Sequence, residues 1–340
     1  MLLFIIKYLL ILSIILISSN SIHHPYGRTT TAHNIIVDYS KKENNINFLK
    51  GRIYIVTGAN AGIGTETVKA LASAGARVIL CSRDIDKGKD AIKNEIKKKG
   101  HGNYIVNDTS NIIVKQLDLS SFDSIKKFAK EIINSEKRID GLILNAGIMS
   151  LPSLRIQNDC ELQMLTNHIG HAALTRLLLP KIKKNKKNNP KIIYLSSSAH
   201  RFGNKNLMKD LNYKKTRYIS FVAYGQSKLA NLLYAKGLSK HLEDTGYKQI
   251  CVCSVHPGVI TSTQLFKQSV GTRIFSLIPG DRNMAQGAAS TIYACLSEPE
   301  ALKGQYIFNC RNTIPNANGK NEILRDEVWK VTENILDGQL

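Results

Sequence analysis

The chain has 340 residues, 43% of them hydrophobic, and 47 Lys and Arg against 26 Asp and Glu give it a formal net charge of +21; this apolar content supports a sizeable core and excludes disorder over most of the length. Its six cysteines, at 81, 160, 251, 253, 295 and 310, form no Cys-x-x-Cys pair and no Cys/His cluster, which argues against a disulfide framework or a metal site and for small buried hydrophobes in a reducing compartment. The excess charge lies in Lys/Asn stretches such as 93–99 and 181–187 with no nucleic-acid module beside them, so no nucleic-acid partner is expected, and attraction to an anionic membrane surface fits better.

Residues 2–17 are almost wholly apolar, interrupted by Lys7 and Ser13. Residues 1–20 are therefore expected to be a membrane anchor or a signal segment, marginal in length for a span of about 20 residues. Ser18, Ser19 and Ser21 allow cleavage, which would make the protein secreted or lumenal. Arg28, Lys41, Lys42, Lys50 and Arg52 all follow the run, and the positive-inside rule then keeps the rest of an anchored chain in the cytosol. Residues 21–49 read as a linker.

From residue 50 to the end, apolar runs of strand length alternate with amphipathic runs of helix length. Strands are expected at 52–57, 77–81, 112–117, 141–144, 191–196, 249–254 and 305–308, with helices between them, notably 63–74 and 221–242. The polar stretch 101–111 reads as a loop. Alternation of this kind specifies a single α/β domain, a Rossmann-like doubly wound parallel sheet of about seven strands with helices on both faces.

The first strand runs into Thr57-Gly58-Ala59-Asn60-Ala61-Gly62-Ile63-Gly64, a glycine-rich turn that opens a helix. There a pyrophosphate can sit against free backbone N–H groups and the positive end of the helix dipole. Asn145-Ala146-Gly147 follows the fourth strand, Ser197 the fifth, Tyr224-x-x-x-Lys228 lies on the next helix, and Pro257-Gly258 follows the sixth strand. Residues four apart share a helix face, so Lys228 stands beside Tyr224, where an ammonium lowers the pKa of a phenol and suits it to proton transfer.

These motifs, in this order and over about residues 50–336, resemble the short-chain dehydrogenase/reductase family. The resemblance implies an oxidoreductase that moves a hydride between a nicotinamide cofactor and a carbonyl or alcohol carbon, with Asn167, Ser197, Tyr224 and Lys228 as catalytic residues. Ser196 and Ser198 leave a one-residue ambiguity at the serine. It also implies cofactor contacts from Gly58, Asn60, Gly62, Ile63, Gly64, Asp118, Leu119, Asn145, Ala146, Gly147, Tyr224, Lys228, Pro257, Gly258 and Thr261. Arg83, after the second strand, suits the 2′-phosphate of NADP(H), with Ser82 as a second donor. Asp84 comes one residue later and keeps NAD(H) open as the alternative.

Local runs narrow the resemblance to the retinol dehydrogenase branch: Ser82-Arg83-Asp84 with Lys87-Gly88, Asn167-His168-x-Gly170-His171, Ser197-x-Ala199-His200, and Ser227-Lys228-Leu229-Ala230-Asn231. That branch implies an enzyme of the endoplasmic reticulum membrane acting on a retinoid, steroid or other lipid carbonyl. An apolar substrate lid is then expected near 262–282, and the helix carrying Tyr224 offers a homodimer contact. A catalytically silent, membrane-tethered nucleotide-binding scaffold is the reading from another class.

Overall fold

The computed structural model describes residues 25–97, 104, 106, 108–185, 187–262 and 282–340. The apolar run at 1–20 and nearly all of the expected lid lie outside them. The elements in chain order are helix α1 (Ala32–Lys42), strand β1 (Ile53–Thr57), α2 (Gly62–Ser73), β2 (Arg77–Ser82), α3 (Ile85–Ala91), β3 (Ile112–Gln116), α4 (Phe122–Ser135) and β4 (Gly141–Leu144). A small hairpin of β5 (Ile156–Gln157) and β6 (Cys160–Glu161) precedes α5 (Leu162–Met164), a π-helical turn (Leu165–Ile169) and α6 (Gly170–Lys183). Then come β7 (Lys191–Leu195), α7 (Ser220–Asp244), β8 (Cys251–His256), α8 (Met284–Leu296), β9 (Tyr306–Phe308), β10 (Arg311–Asn312), α9 (Ala317–Lys320) and α10 (Glu322–Asp337).

The seven expected strands form one parallel sheet in the order β3-β2-β1-β4-β7-β8-β9, and β10 adds an antiparallel edge beside β9. Their side chains alternate between two cores, as the period of a strand requires. Ile55, Ile79, Leu142, Leu144, Ile192, Tyr194 and Val252 face the layer of α4, α6, α7 and α10. Val56, Val78, Leu80, Ile143, Ile193 and Val255 face α2 and α8. All six cysteines are buried as free thiols.

Most boundaries fall within one or two residues of the sequence reading, and two differences have a clear physical cause. The sixth strand was expected at 249–254 and runs from Cys251 to His256, because Ile250 N donates to Tyr247 O at 3.0 Å and closes a turn that takes Gln249 out of the sheet. Residues 21–49, read as a linker, contain α1. Its capping box pairs Thr31 with Asn34, and Ala32, Ile35 and Ile36 pack into the α2–α8 core.

Asp140 ties the N-terminal ends of the central strands together. It is 2% exposed and accepts from Ile53 N at 2.8 Å, Arg52 Nη1 at 3.2 Å, Arg138 Nε at 2.9 Å and Asn185 Nδ2 at 3.1 Å. Removing the carboxylate leaves a buried N–H and two cations without their shared acceptor. Asp140→Ala is expected to cost about 3 kcal/mol in urea unfolding, with Asp140→Asn losing less; equal midpoints for wild type and D140A would refute this role.

Candidate active site

The sheet changes winding direction between β1 and β4, and the carboxyl ends of those strands diverge there to leave a crevice. A cleft of about 330 Å³ occupies it. Its walls come from the ends of six strands: Thr57 and Gly58 after β1, Ser82 and Arg83 at β2, Leu117 and Leu119 after β3, Asn145 to Ile148 after β4, Leu195 and Ser196 at β7, and Pro257 after β8.

The glycine turn forms the floor. Gly58 has φ +61°, and a Cβ there would stand 2.8 Å from the Ala146 Cα; a Cβ on Gly64 would stand 2.6 Å from Asn145 Nδ2. Both glycines therefore let the first turn of α2 close against the Asn145-Ala146-Gly147 segment. Asn145 Nδ2 donates to Thr57 O at 2.8 Å, and Ala146 N donates to Thr57 Oγ1 at 2.9 Å. The N-cap of α2, Ala61, gives no side-chain hydrogen bond, as Ile219 gives none to α7, whereas α1, α3, α4, α8 and α10 are capped by Thr31, Asp84, Ser121, Asn283 and Asn321. The first-turn residues of α2, Gly62, Ile63 and Gly64, line the cleft, and the unpaired N–H groups of a helix start suit the phosphates of a dinucleotide.

Tyr224 and Lys228 line the opposite wall. Lys228 is 4% exposed; its Nζ lies 5.6 Å from the Tyr224 ring centre and donates to Leu195 O at 3.0 Å. Burial brings the amine down to about 8. Behind Gly147, Asn167 is fully buried: its Oδ1 accepts from Ile148 N at 2.8 Å, and its Nδ2 donates to Ile148 O at 2.9 Å and Ser227 Oγ at 3.0 Å. His171 Nδ1 lies 2.8 Å from Asn167 O and its Nε2 2.9 Å from Thr57 Oγ1. Burial brings this ring down to about 3 and keeps it neutral.

The structure brings most of the expected residues to one cleft: Gly58, Asn60, Gly62, Ile63, Gly64, Arg83, Leu119, Asn145, Ala146, Gly147, Tyr224, Lys228 and Pro257 line it. Asn167 stands one layer behind. Asp118 is not on the lining; its Oδ1 accepts from Ser120 N at 2.9 Å and Ser120 Oγ at 2.7 Å, while its neighbours Leu117 and Leu119 face the cavity. Gly258, at φ +91°, packs against Arg282, and Thr261 lies farther along, both outside the lining. Ser197 caps the 3₁₀ turn Ser198–Phe202 by accepting from Ala199 N at 3.2 Å, whereas Ser196 lines the cleft and donates to Lys228 O at 2.8 Å.

Lys87, Thr166 and Leu195 also line the cleft and were missed as site residues, and Ser196, left open as an alternative to Ser197, lines it too. Lys87 lies in the first turn of α3, where an exposed lysine carries no local mark of a site. Asp84 caps that helix, accepting from Asp86 N at 3.0 Å and Lys87 N at 3.1 Å.

A family model described as short chain dehydrogenase matches residues 52–209. Retinol dehydrogenase 12 of Mus musculus is 37% identical over 295 residues, covering 85% of this chain and 87% of that protein. Retinol dehydrogenase 11 of the same species is also 37% identical, over 290 residues, with the same coverage. A solved Mycobacterium paratuberculosis structure superposes with a TM-score of 0.67 at 29% identity, over 86% of this chain and 96% of its own. With the fold, the cleft and these relatives in agreement, the chain belongs to the short-chain dehydrogenase/reductase family, on its retinol dehydrogenase branch, and is an NAD(P)-dependent oxidoreductase of CH–OH groups.

Proposed function

We propose that the protein interconverts a carbonyl and an alcohol on a hydrophobic substrate such as a retinoid, with NADP(H), and runs toward the alcohol in cells. The observation that carries the cofactor choice is the end of β2. Arg83 and Lys87 line the cleft beside Ser82; Asp84 lines it too, but its Oδ1 accepts two backbone N–H groups of α3 and its Oδ2 lies 4.0 Å from Lys87 Nζ. A 2′-phosphate meets two cations there, one of them able to bind it in bidentate fashion. An acid engaged as a helix cap is poorly placed to take the ribose hydroxyls that mark NAD(H) sites.

The lining fits a nicotinamide dinucleotide, with α2 N–H groups for its phosphates, Ile63, Leu117 and Leu119 for its apolar surfaces, and a Tyr224–Lys228 wall for its reactive end. The bound cofactor supplies the hydride. Tyr224 gives its phenolic proton to the carbonyl oxygen, and the Lys228 ammonium lowers the phenol pKa enough for that transfer at neutral pH. Ser197 donates a hydrogen bond to the same oxygen, since its Oγ accepts from Ala199 N and its O–H remains to donate, whereas the Ser196 O–H is engaged by Lys228 O. Asn167 holds the backbone at Ile148, which borders the reacting end.

Met149, Ala199, Phe202 and Phe221 pack with Tyr224 in one apolar cluster. Such a cluster favours lipophilic carbonyl compounds, and the names of the relatives point to retinoids. Among the described residues no helix is long and apolar enough to cross a membrane; the tether we propose is the apolar run at 1–20, holding the domain on the cytosolic face of the endoplasmic reticulum, where NADP(H) is kept largely reduced.

Three measurements test this reading. Tyr224→Phe should lower turnover of NADPH with retinal or another apolar aldehyde by about 10³-fold and leave NADPH binding, read by fluorescence, within about threefold; retained turnover would mean the proton comes from elsewhere. Arg83→Ala should weaken kcat/KM for NADPH by roughly 10- to 100-fold and hardly change that for NADH; equal losses would remove the phosphate contact. Because burial lowers Lys228 to about 8, its ammonium is present below that pH and lost above it. kcat/KM for reduction should therefore fall as pH rises through about 8, and Lys228→Met should abolish that limb as well as most activity; a limb that survives in K228M belongs to another group.

A further inference from the structure

On the side of α7 away from the cleft, α10 turns a stripe of Leu324, Val328, Thr332 and Leu336 into the core. Residues four apart share a helix face, and three of these are aliphatic. A hydroxyl carried into such a contact needs a partner. Thr332 Oγ1 has one in His168 Nε2, at 2.9 Å. His168 Nδ1 lies 3.1 Å from Asn231 Oδ1, and Asn231 Nδ2 donates at 3.1 Å to Leu195 O. That carbonyl is the one that receives Lys228 Nζ at 3.0 Å. Thr332, His168 and Asn231 are all fully buried.

The sense of each hydrogen bond follows from the last. A carbonyl only accepts, so the Asn231 amide nitrogen faces Leu195 and its oxygen faces His168. The His168 proton then sits on Nδ1, and the bare Nε2 accepts from the Thr332 hydroxyl. All the donors point toward one oxygen, and hydrogen bonds in such a series reinforce one another. Burial brings His168 down to about 4, so the ring keeps its Nε2 lone pair at neutral pH. The other titratable groups around this series are accounted for. Tyr234 stands edge-on to His168 at 5.5 Å and donates to Glu333 at 2.7 Å. Glu333 in turn pairs with Arg176. His171 lies one turn beyond His168, and Tyr224 lies beside Lys228.

We propose that Thr332, His168 and Asn231 are positioning residues, which fix the Leu195 carbonyl and through it the Lys228 amine, so that the C-terminal helix completes the active site without touching substrate. This rests on the role given above to Tyr224 and Lys228. Removing the Thr332 hydroxyl weakens the polarisation of Asn231, leaves Leu195 O more available to the ammonium, and raises the pH at which Lys228 loses its proton.

The test uses the full chain with NADPH and an apolar aldehyde. Thr332→Val should reduce kcat roughly fivefold, leave the NADPH Kd within about twofold, and move the alkaline limb of the kcat profile up by about half a unit. Thr332→Ser, which keeps the hydroxyl, should restore both. Superimposable T332V and wild-type profiles, or a T332S variant that restores neither, would overturn the proposal. ¹⁵N-imidazole NMR of the wild-type protein tests the same series without a substitution: His168 should be protonated at Nδ1, and an Nε2–H tautomer overturns it even if T332V does not fold. A wild-type alkaline limb that T332V leaves in place sinks this proposal alone; a fully active Y224F sinks the reading beneath it.

Discussion

The Lys228 amine, almost wholly removed from water, is the constraint around which the site is arranged. An ammonium so placed loses its hydration, and only a well-aimed acceptor offsets that loss. The acceptor is the last carbonyl of β7, which explains why the helix bearing Lys228 must cross the sheet at one height and in one rotation. Tyr224, one turn earlier, is then fixed as well, and with it the wall opposite the glycine turn. The Ser196 hydroxyl on the Lys228 carbonyl joins the same helix to the same strand end a second time.

A parallel sheet covered on both faces makes such a strand end available. Backbone N–H and C=O groups within β1, β4 and β7 are satisfied by their neighbours, while those just beyond the carboxyl ends are open to side chains and ligands. The polar residues of the site accordingly come from the first one to three positions after each strand or from helices that look onto them. Thr57 shows how closely these parts interlock: its hydroxyl accepts from Ala146 N and stands against His171 Nε2, joining β1, β4 and the turn that holds Asn167.

Much of this was legible in the sequence for a physical reason. A glycine turn, a Tyr-x-x-x-Lys pair and a strand run are local patterns, and their spacing alone states which groups share a face. Residues brought in by tertiary packing gave weaker signals. Lys87 looks like any exposed helical lysine until the fold sets it beside Arg83. Thr332 interrupts an aliphatic stripe, yet nothing in its own helix identifies His168 as its partner. Helix α1 escaped notice because only Ala32, Ile35 and Ile36 mark its buried side in an otherwise polar stretch. The start of β8 was placed two residues early because Ile250 joins the apolar run, although a turn takes Gln249 and Ile250 out of the ladder.

The role of Asp84 bears on how this protein could change over evolutionary time. Its carboxylate begins a helix, so the acid that a drift toward the unphosphorylated dinucleotide would need is already bound to its own backbone. Turning it toward a ribose would cost α3 its cap and loosen the first turn that carries Lys87. Cofactor preference and local foldability are thus joined at one side chain, and a lineage leaving one nucleotide for the other would have to find a new helix start first.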